Sequence, residues 1–263
     1  MPLATAPLWL AGILLVIVPT ALAMMGPVVA RKIVGLERLS TNNEVAGFKF
    51  ATVGVLYAVL LAFVVIVVWE KFSDAEADVS REAGAAATLY RVIGGMDAQS
   101  RTAVRDDLTA YLNSAIVDDW KAMETGHSSR LTTQALNALY ATALEYRPTD
   151  SRGEAILSAV LTQLDKITEA RRARLVKAAG SVPGVIWLVL FGGAVLTIGF
   201  TFFFGTENLT AQSLMTGVLT MLIMSGLLII VSIDKPFTGA ARVHPDGLLV
   251  VIEDLNRARA GGR

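Results

Sequence analysis

The chain of 263 residues is 54% hydrophobic and only 17% charged, a balance too apolar for an ordinary soluble domain and typical of a membrane protein. Its 23 basic and 23 acidic residues cancel, so no overall charge attracts nucleic acid or acidic substrates. The absence of cysteine excludes disulfides and thiolate metal sites.

The apolar residues are gathered in four runs that reach the roughly 20 residues a helix needs to cross a bilayer core. None contains Asp, Glu, Lys, Arg or His. The runs are Leu8–Ala30, Phe50–Trp69, Val185–Phe204 and Ser213–Ile233. The first is longer than the apolar part of a secretory signal and no basic residue precedes it, so we interpret it as a retained span. The sequence therefore predicts an all-α membrane protein with four transmembrane helices.

A polar insert, Glu70 to Ser181, separates the two pairs of spans. Apolar residues recur in it at steps of three and four, which indicates amphipathic helices that pack as a bundle. The first helix continues the second span without a proline and ends at Gly94-Gly95. Its predicted buried face consists of Phe72, Ala75, Val79, Ala83, Ala86, Tyr90 and Ile93. Three more helices are predicted at about Ser100–Glu124, at about Leu131–Tyr146, and from a capping box at Ser151–Glu154 toward Arg174.

The predicted organisation has four parts: a first transmembrane hairpin at 1–69, a helical domain at 70–181, a second hairpin at 182–233 and a tail at 234–263. The tail contains a turn signal at Asp234–Gly239 and a short apolar segment at Leu248–Leu255. Gly126 is a predicted stop signal for the second helix of the insert.

Four spans place the N-terminus, the insert and the tail on one side of the membrane. Basic residues near the spans occur on both sides, and the larger number lies on the insert side. That side carries Lys71, Arg81, Arg171, Arg172, Arg174, Lys177, Lys235 and Arg242, against Arg31, Lys32, Arg38 and Lys49 opposite. We therefore expect the insert and both termini to be cytoplasmic, in a bacterial inner membrane.

Three short stretches carry a resemblance to a known family. They are LLAF in the second span, REAGAAATLYR in the helix that follows it, and DKPFTG after the last span. Their order and spacing resemble those of the bacterial bestrophin-like domain family. The resemblance implies a four-span subunit with a cytoplasmic helical domain and a second helix that extends out of the membrane. It further implies a homo-oligomeric channel like the bestrophins, which are pentameric anion channels with a pore lined by the second helix.

The resemblance also places a pore constriction in this sequence. Bestrophins narrow their pore with three bulky apolar side chains about one helical turn apart, and the corresponding residues here are Val55, Val59 and Phe63. Two of these are smaller than the aromatic residues common in animal members. The residues alone fit a surface that faces lipid or another helix equally well. An apolar constriction is nevertheless consistent with spans that carry no ionisable group for ion-coupled transport.

Two groups of basic residues allow alternative interpretations. Arg31, Lys32 and Lys49 either attract anions as rings at the outer mouth or anchor the chain at headgroup level, and the second interpretation is favoured. Arg171, Arg172, Arg174 and Lys177 are predicted to face anionic lipid, with ligand sensing as the alternative.

The remaining polar residues do not indicate catalysis. The acidic pairs Asp106-Asp107 and Asp118-Asp119 are predicted to be solvated, and His127 and His244 are isolated, so no metal site or cofactor is expected. No nucleophile motif or phosphate-binding glycine loop is present. The leading hypothesis is a homo-oligomeric, anion-conducting channel, and the rival is a non-conducting membrane protein whose helical bundle binds a partner.

Overall fold

The structure, a computed structural model, describes residues 7–41, 43–180 and 182–261. Ser181, the last residue of the predicted insert, lies outside these ranges. So do residues 1–6 of the predicted first hairpin and residues 262–263 of the predicted tail. The described residues contain helices and no β-strand. In chain order the helices are α1 Leu8–Val34, α2 Leu36–Ser40, α3 Asn43–Val92, α4 Ala98–Ser114, α5 Trp120–Met123, α6 Arg130–Glu145, α7 Ser151–Ala178, α8 Gly184–Thr201, α9 Leu209–Ile233 and α10 Asp246–Gly261.

The predicted all-helical fold is confirmed, and four helices are long and apolar enough to cross a membrane. These are α1, α3 with the 3₁₀ turn that follows it, α8 and α9. The predicted continuity of the second helix is also confirmed, because α3 is one helix of 50 residues that carries both the apolar run and the charged stretch after it. At 1.5 Å per residue it is about 75 Å long, more than twice the thickness of a bilayer core.

The chain divides into two compact units. The membrane unit comprises the described residues within 1–70, 181–234 and 239–241. The helical unit comprises those within 71–180, 235–238 and 242–263. The helix α3 contributes residues to both.

Glycine permits close helix contacts inside the membrane unit. A Cβ added at Gly193 in α8 would lie 2.6 Å from the ring of Tyr57 in α3, so only glycine fits here. Tyr57 Oη donates a hydrogen bond of 3.0 Å to the carbonyl oxygen of Leu190. Threonine hydroxyls of α8 and α9 donate to backbone oxygens in the same way, as Thr201 does to Ile198 and Thr220 to Thr216. These hydroxyl groups are thereby satisfied without any charge.

The helical unit has one main apolar core, built from α3, α4, α6, α7 and α10. Its fully buried side chains include Leu89, Leu108, Leu139, Leu164 and Leu248. Residues 234–263 are predicted to form a separate tail, but α10 places Leu248, Val251 and Leu255 in this core. Their spacing of three and four residues is that of one helix face. The helix α10 is therefore an integral part of the helical unit.

The helix ends differ from the predictions in one detail. Gly126 adopts a φ of +74° after α5, which confirms the predicted stop. The predicted capping box at Ser151 is wrong by one residue, because Asp150 is the N-cap of α7 and its carboxylate accepts from the backbone N–H of Gly153 at 2.7 Å. Asp97 caps α4 in the same way, and the N–H of Ser100 lowers the pKa of its carboxyl group.

The close packing at Gly205 gives a stability test for the membrane unit. A Cβ there would lie 2.6 Å from the backbone nitrogen of Ser40 and 2.8 Å from the carbonyl carbon of Leu39. Because backbone atoms cannot move aside easily, Gly205→Ala is expected to destabilise the detergent-solubilised protein by about 1–3 kcal/mol. The matched control is Gly199→Ala, since a Cβ at Gly199 meets open space. Thermal unfolding in detergent measures both, and equal midpoints for the two variants would contradict the prediction.

Candidate functional site

The predicted constriction residues lie on an exposed face of α3. In the single chain the exposed fractions are 63% for Val55, 48% for Val59 and 64% for Phe63. At about 100° per residue, their directions around the helix span about 80°. Tyr57 and Val68, on the other side of α3, are buried within the membrane unit. The three side chains therefore share a surface that the subunit itself leaves uncovered.

The α3 span is the least covered of the four. Only 11% of its most apolar window is buried in the chain, against 28% for α1, 28% for α8 and 44% for α9. It is also the most hydrophobic of the four. An apolar helix with so little coverage must be covered by lipid or by other protein chains.

The three basic residues predicted for the outer mouth are not equivalent. Arg31 Nη1 donates to the backbone oxygens of Glu207 at 3.2 Å and Thr206 at 3.5 Å. Asn43 makes two further hydrogen bonds to Gly205 of the same loop: its Nδ2 donates to the Gly205 oxygen at 2.6 Å, and its Oδ1 accepts from the Gly205 N–H at 3.0 Å. Arg31 thus fastens the loop between α8 and α9, a role that neither interpretation of the sequence included. Lys32 and Lys49 are exposed.

The basic residues predicted to face lipid are mostly buried inside the helical unit, which corrects that prediction. Arg174 is fully buried and Arg171 is 6% exposed, while Lys177 is partly covered and Arg172 alone is exposed. The buried residues form a charge cluster, which we define as Asp78, Glu82, Asp119, Arg171, Arg174 and Lys177. The physical reason is pairing: each of the three basic residues faces a fully buried carboxylate.

Arg174 and Glu82 form the centre of the charge cluster. Arg174 Nε lies 2.8 Å from Glu82 Oε2, and Arg174 Nη2 lies 3.1 Å from Glu82 Oε1, a two-point contact between α7 and α3. The guanidinium also lies over the ring of Trp120, with its central carbon 4.5 Å from the ring centroid. Arg174 Nη2 further approaches Asp119 Oδ2 at 3.4 Å.

Asp119 and Arg171 form the second pair. Arg171 Nε donates to Asp119 Oδ2 at 2.7 Å and Arg171 Nη2 to Oδ1 at 3.1 Å. The backbone N–H of Ser129 donates to the same carboxylate at 2.9 Å. The prediction that Asp119 is solvated is therefore wrong, since its side chain is fully buried at the end of a π-helical turn, Ala115–Asp119. Asp118, its neighbour, accepts from Ser114 at 2.7 Å.

Asp78 completes the charge cluster on α3, one turn before Glu82. Its two oxygens lie 2.5 Å from Lys177 Nζ and 2.5 Å from Arg81 Nη2. Asp78 is fully buried, whereas the side chain of Arg81 is 64% exposed. The α3 helix therefore presents two buried carboxylates, at positions 78 and 82, to basic residues one turn apart on α7.

Burial in and beside the charge cluster shifts the pKa values of Tyr111 and Arg174. Burial raises the pKa of Tyr111 well above its usual range, and the nearby Glu82 carboxylate, which accepts from Tyr111 Oη at 2.7 Å, raises it further. Burial disfavours the charged form of Arg174, but the attraction and hydrogen bond to Glu82, together with Tyr111 and Asp119, outweigh it and raise the pKa of Arg174. Both effects keep the phenol neutral and the guanidinium charged.

The DKPFTG stretch lies against the same cluster. Phe237 is 1% exposed and meets the ring of Trp120 edge to face, with ring centroids 5.9 Å apart. Trp120 Nε1 donates to the backbone oxygen of Val243 at 3.2 Å. Phe237 is therefore part of the packing inside the helical unit.

A signal for the charge cluster was present in the sequence. Asp119 follows Ala115 by four residues, and Arg171 and Arg174 follow Ile167 by four and seven. Asp78 and Glu82 follow Ala75 and Val79 by three. All five thus follow buried apolar residues at the spacing of one helix face, which is the pattern of charges that pair inside a bundle.

Metal ligation has no support in the described ranges. No group of three or more His, Asp or Glu residues among them is placed to hold a metal ion. His127 Nδ1 lies 3.2 Å from the Thr125 hydroxyl, and His244 is exposed elsewhere in the chain.

Comparison with known proteins identifies the family. A model of the bestrophin-like domain matches residues 17–248. The chain belongs to the bestrophin-like family. Searched against curated proteins, the sequence has no match.

Solved structures share the fold of this bestrophin-like chain. One variant of a bacterial bestrophin homologue from Klebsiella pneumoniae has 15% identity and a TM-score of 0.72, covering 91% of this chain and 98% of that one. A second variant of the same description has 16% identity and a TM-score of 0.71, covering 92% and 96%. A crystal structure described as a membrane protein has 18% identity and a TM-score of 0.73, with the same coverage. At such identities the likeness concerns the fold, which is that of a membrane protein.

The charge cluster predicts a large effect of removing one partner. Arg174→Met is expected to destabilise the bestrophin-like protein by about 3–5 kcal/mol, because Glu82 is left buried without its counter-charge. Arg172→Met is the matched control, being the same exchange at an exposed position of the same helix. Thermal unfolding followed by circular dichroism in detergent measures both. An Arg174→Met midpoint equal to that of the control would refute the structural role.

Tyr111 predicts a pH dependence of stability. Tyr111→Phe is expected to cost about 1–3 kcal/mol at neutral pH, because buried Glu82 loses a donor. Below about pH 10 the phenol is protonated in the folded and unfolded states alike. Above that pH the unfolded chain releases the proton while the folded chain retains it, so the wild-type stability falls and the gap to Tyr111→Phe narrows. Unfolding midpoints between pH 8 and pH 11 for both proteins test this, and a pH-independent gap would contradict it.

Proposed function

We propose that the protein is a homo-oligomeric ion channel whose pore is lined by α3. The observation that carries the proposal is the uncovered face of that helix. The most hydrophobic span is the one least buried in its own subunit. Membership of the bestrophin-like family and the shared fold support the same arrangement. Several copies that place α3 around a common axis would cover this face and enclose a pore.

Val55, Val59 and Phe63 are proposed as the apolar constriction. They lie at steps of four residues on the exposed side of α3, about 6 Å apart along the helix axis. A ring of such side chains can gate by losing its water, because a narrow apolar passage is costly to wet. The resemblance implies a pentamer and anions as the permeant ions. The channel proposal itself holds for either sign of charge.

The proposed location is a bacterial inner membrane, with the helical unit and both termini in the cytoplasm. The positive-inside rule acts on the chain while it inserts. Arg171 and Arg174 therefore count toward orientation although they are later buried. Exposed Arg172 is the member of that group proposed to contact anionic lipid.

Substitutions in the constriction test the channel function. Val59→Ser and Phe63→Ala are expected to raise the single-channel conductance in planar bilayers, because each eases wetting of the constriction. The matched control is Val53→Ser, a partly exposed position about 120° around the helix from the centre of the face, and it should leave the conductance unchanged. Absence of current in the wild type and in both variants would refute the channel and favour the non-conducting interaction protein. The native mass in detergent is the companion measurement, since a monomer or dimer has no central pore.

A further inference from the structure

The face of α3 that carries the proposed constriction residues also carries a carboxylate, that of Glu70, farther along the helix. Ile66, which is 53% exposed, follows Phe63 on this face, and Glu70 comes next. At about 100° per residue, Glu70 lies about 20° from the mean direction of Val55, Val59 and Phe63. It stands about 10 Å beyond Phe63 along the axis. The helix is unbroken between them.

Glu70 differs from the other charged residues in the membrane-unit part of α3, which are Glu44 and Lys49. The same geometry places Glu44 about 60° and Lys49 about 80° from the mean direction of the constriction residues. Neighbouring Lys71 points about 100° away from Glu70. Of these charged residues, Glu70 therefore points most nearly in the direction of the constriction residues, and its charge is negative.

Glu70 is also available to mobile ions. It is exposed, and within the described part of the chain it makes no hydrogen bond or ion pair. Asp78 and Glu82, farther along the same helix, are instead fully buried and paired with basic side chains. An unpaired carboxylate next to an apolar passage raises the local concentration of cations and repels anions.

We propose that Glu70 determines the charge selectivity of the channel and favours small inorganic cations. The inference rests on the proposed function, because Glu70 forms a ring of carboxylates only when several copies of α3 surround one axis. It assigns a permeant ion of the opposite sign to the anions that the resemblance implies. Glu70 acts here through its charge at the mouth of the constriction and does not contribute to the constriction itself.

The reversal potential across a planar bilayer with a KCl gradient tests this assignment. The wild type is expected to prefer K⁺ over Cl⁻. Glu70→Gln should reduce the permeability ratio of K⁺ to Cl⁻ by roughly tenfold, and Glu70→Lys should reduce it further. Glu70→Asp should retain the preference, because the charge remains. The effect should shrink as the salt concentration is raised toward 1 M, where charges are screened within a few ångströms.

The matched control is Glu76→Gln. Glu76 is an exposed carboxylate on the same helix, about 100° from the direction of the constriction residues, and its removal should leave the permeability ratio unchanged. Unchanged elution of each variant in detergent shows that assembly is intact. A conducting wild type that prefers Cl⁻, or a Glu70→Gln ratio equal to that of the wild type, overturns the selectivity role and leaves the channel standing. A wild type without current overturns the channel, and the selectivity role with it.

Discussion

The arrangement of the helical unit depends on the pairing of buried charges. Glu82 and Asp119 are fully buried, and each is held at two points by an arginine of α7. A charge without its partner in such a place costs several kcal/mol, so neither α3 nor α7 can slide or rotate alone. Apolar contacts tolerate such shifts far better, because they have no direction. The ion pairs thus specify one register between helices whose leucine and alanine faces would allow several.

The membrane unit is stabilised by different means. Its four apolar runs contain no charged residue, and tyrosine and threonine hydroxyls within them donate to backbone oxygens. Packing of small residues replaces the hydrophobic effect there, because lipid is as apolar as the side chains. Gly193 lets Tyr57 approach α8 closely. Both units therefore need a defined register between their helices. In the helical unit ion pairs set that register, and in the membrane unit the close packing of small residues sets it.

The sequence predicted the helices well and the contacts poorly. Runs of apolar residues and steps of three and four residues are local properties, so the four spans, the continuity of α3 and the stop at Gly126 could all be read directly. The charge cluster could not, because pairing Glu82 with Arg174 requires knowing that positions 92 residues apart face each other. A charged side chain on a buried helix face either extends its charged group to solvent or pairs with an opposite charge inside the protein. Only the packing of the helices decides which of the two occurs. The loop role of Arg31 was missed for the same reason, since its acceptors are backbone oxygens far along the chain.

The indole of Trp120 has an optical consequence. It is the only tryptophan of the helical unit, because Trp9, Trp69 and Trp187 lie in the membrane unit. Its ring lies under the Arg174 guanidinium and perpendicular to the ring of Phe237, and its N–H donates to the Val243 oxygen. A protein in which the other three tryptophans are replaced by phenylalanine would therefore carry a single tryptophan fluorophore in contact with the charge cluster. Its emission wavelength would report the wetting of that cluster directly, in detergent or in liposomes.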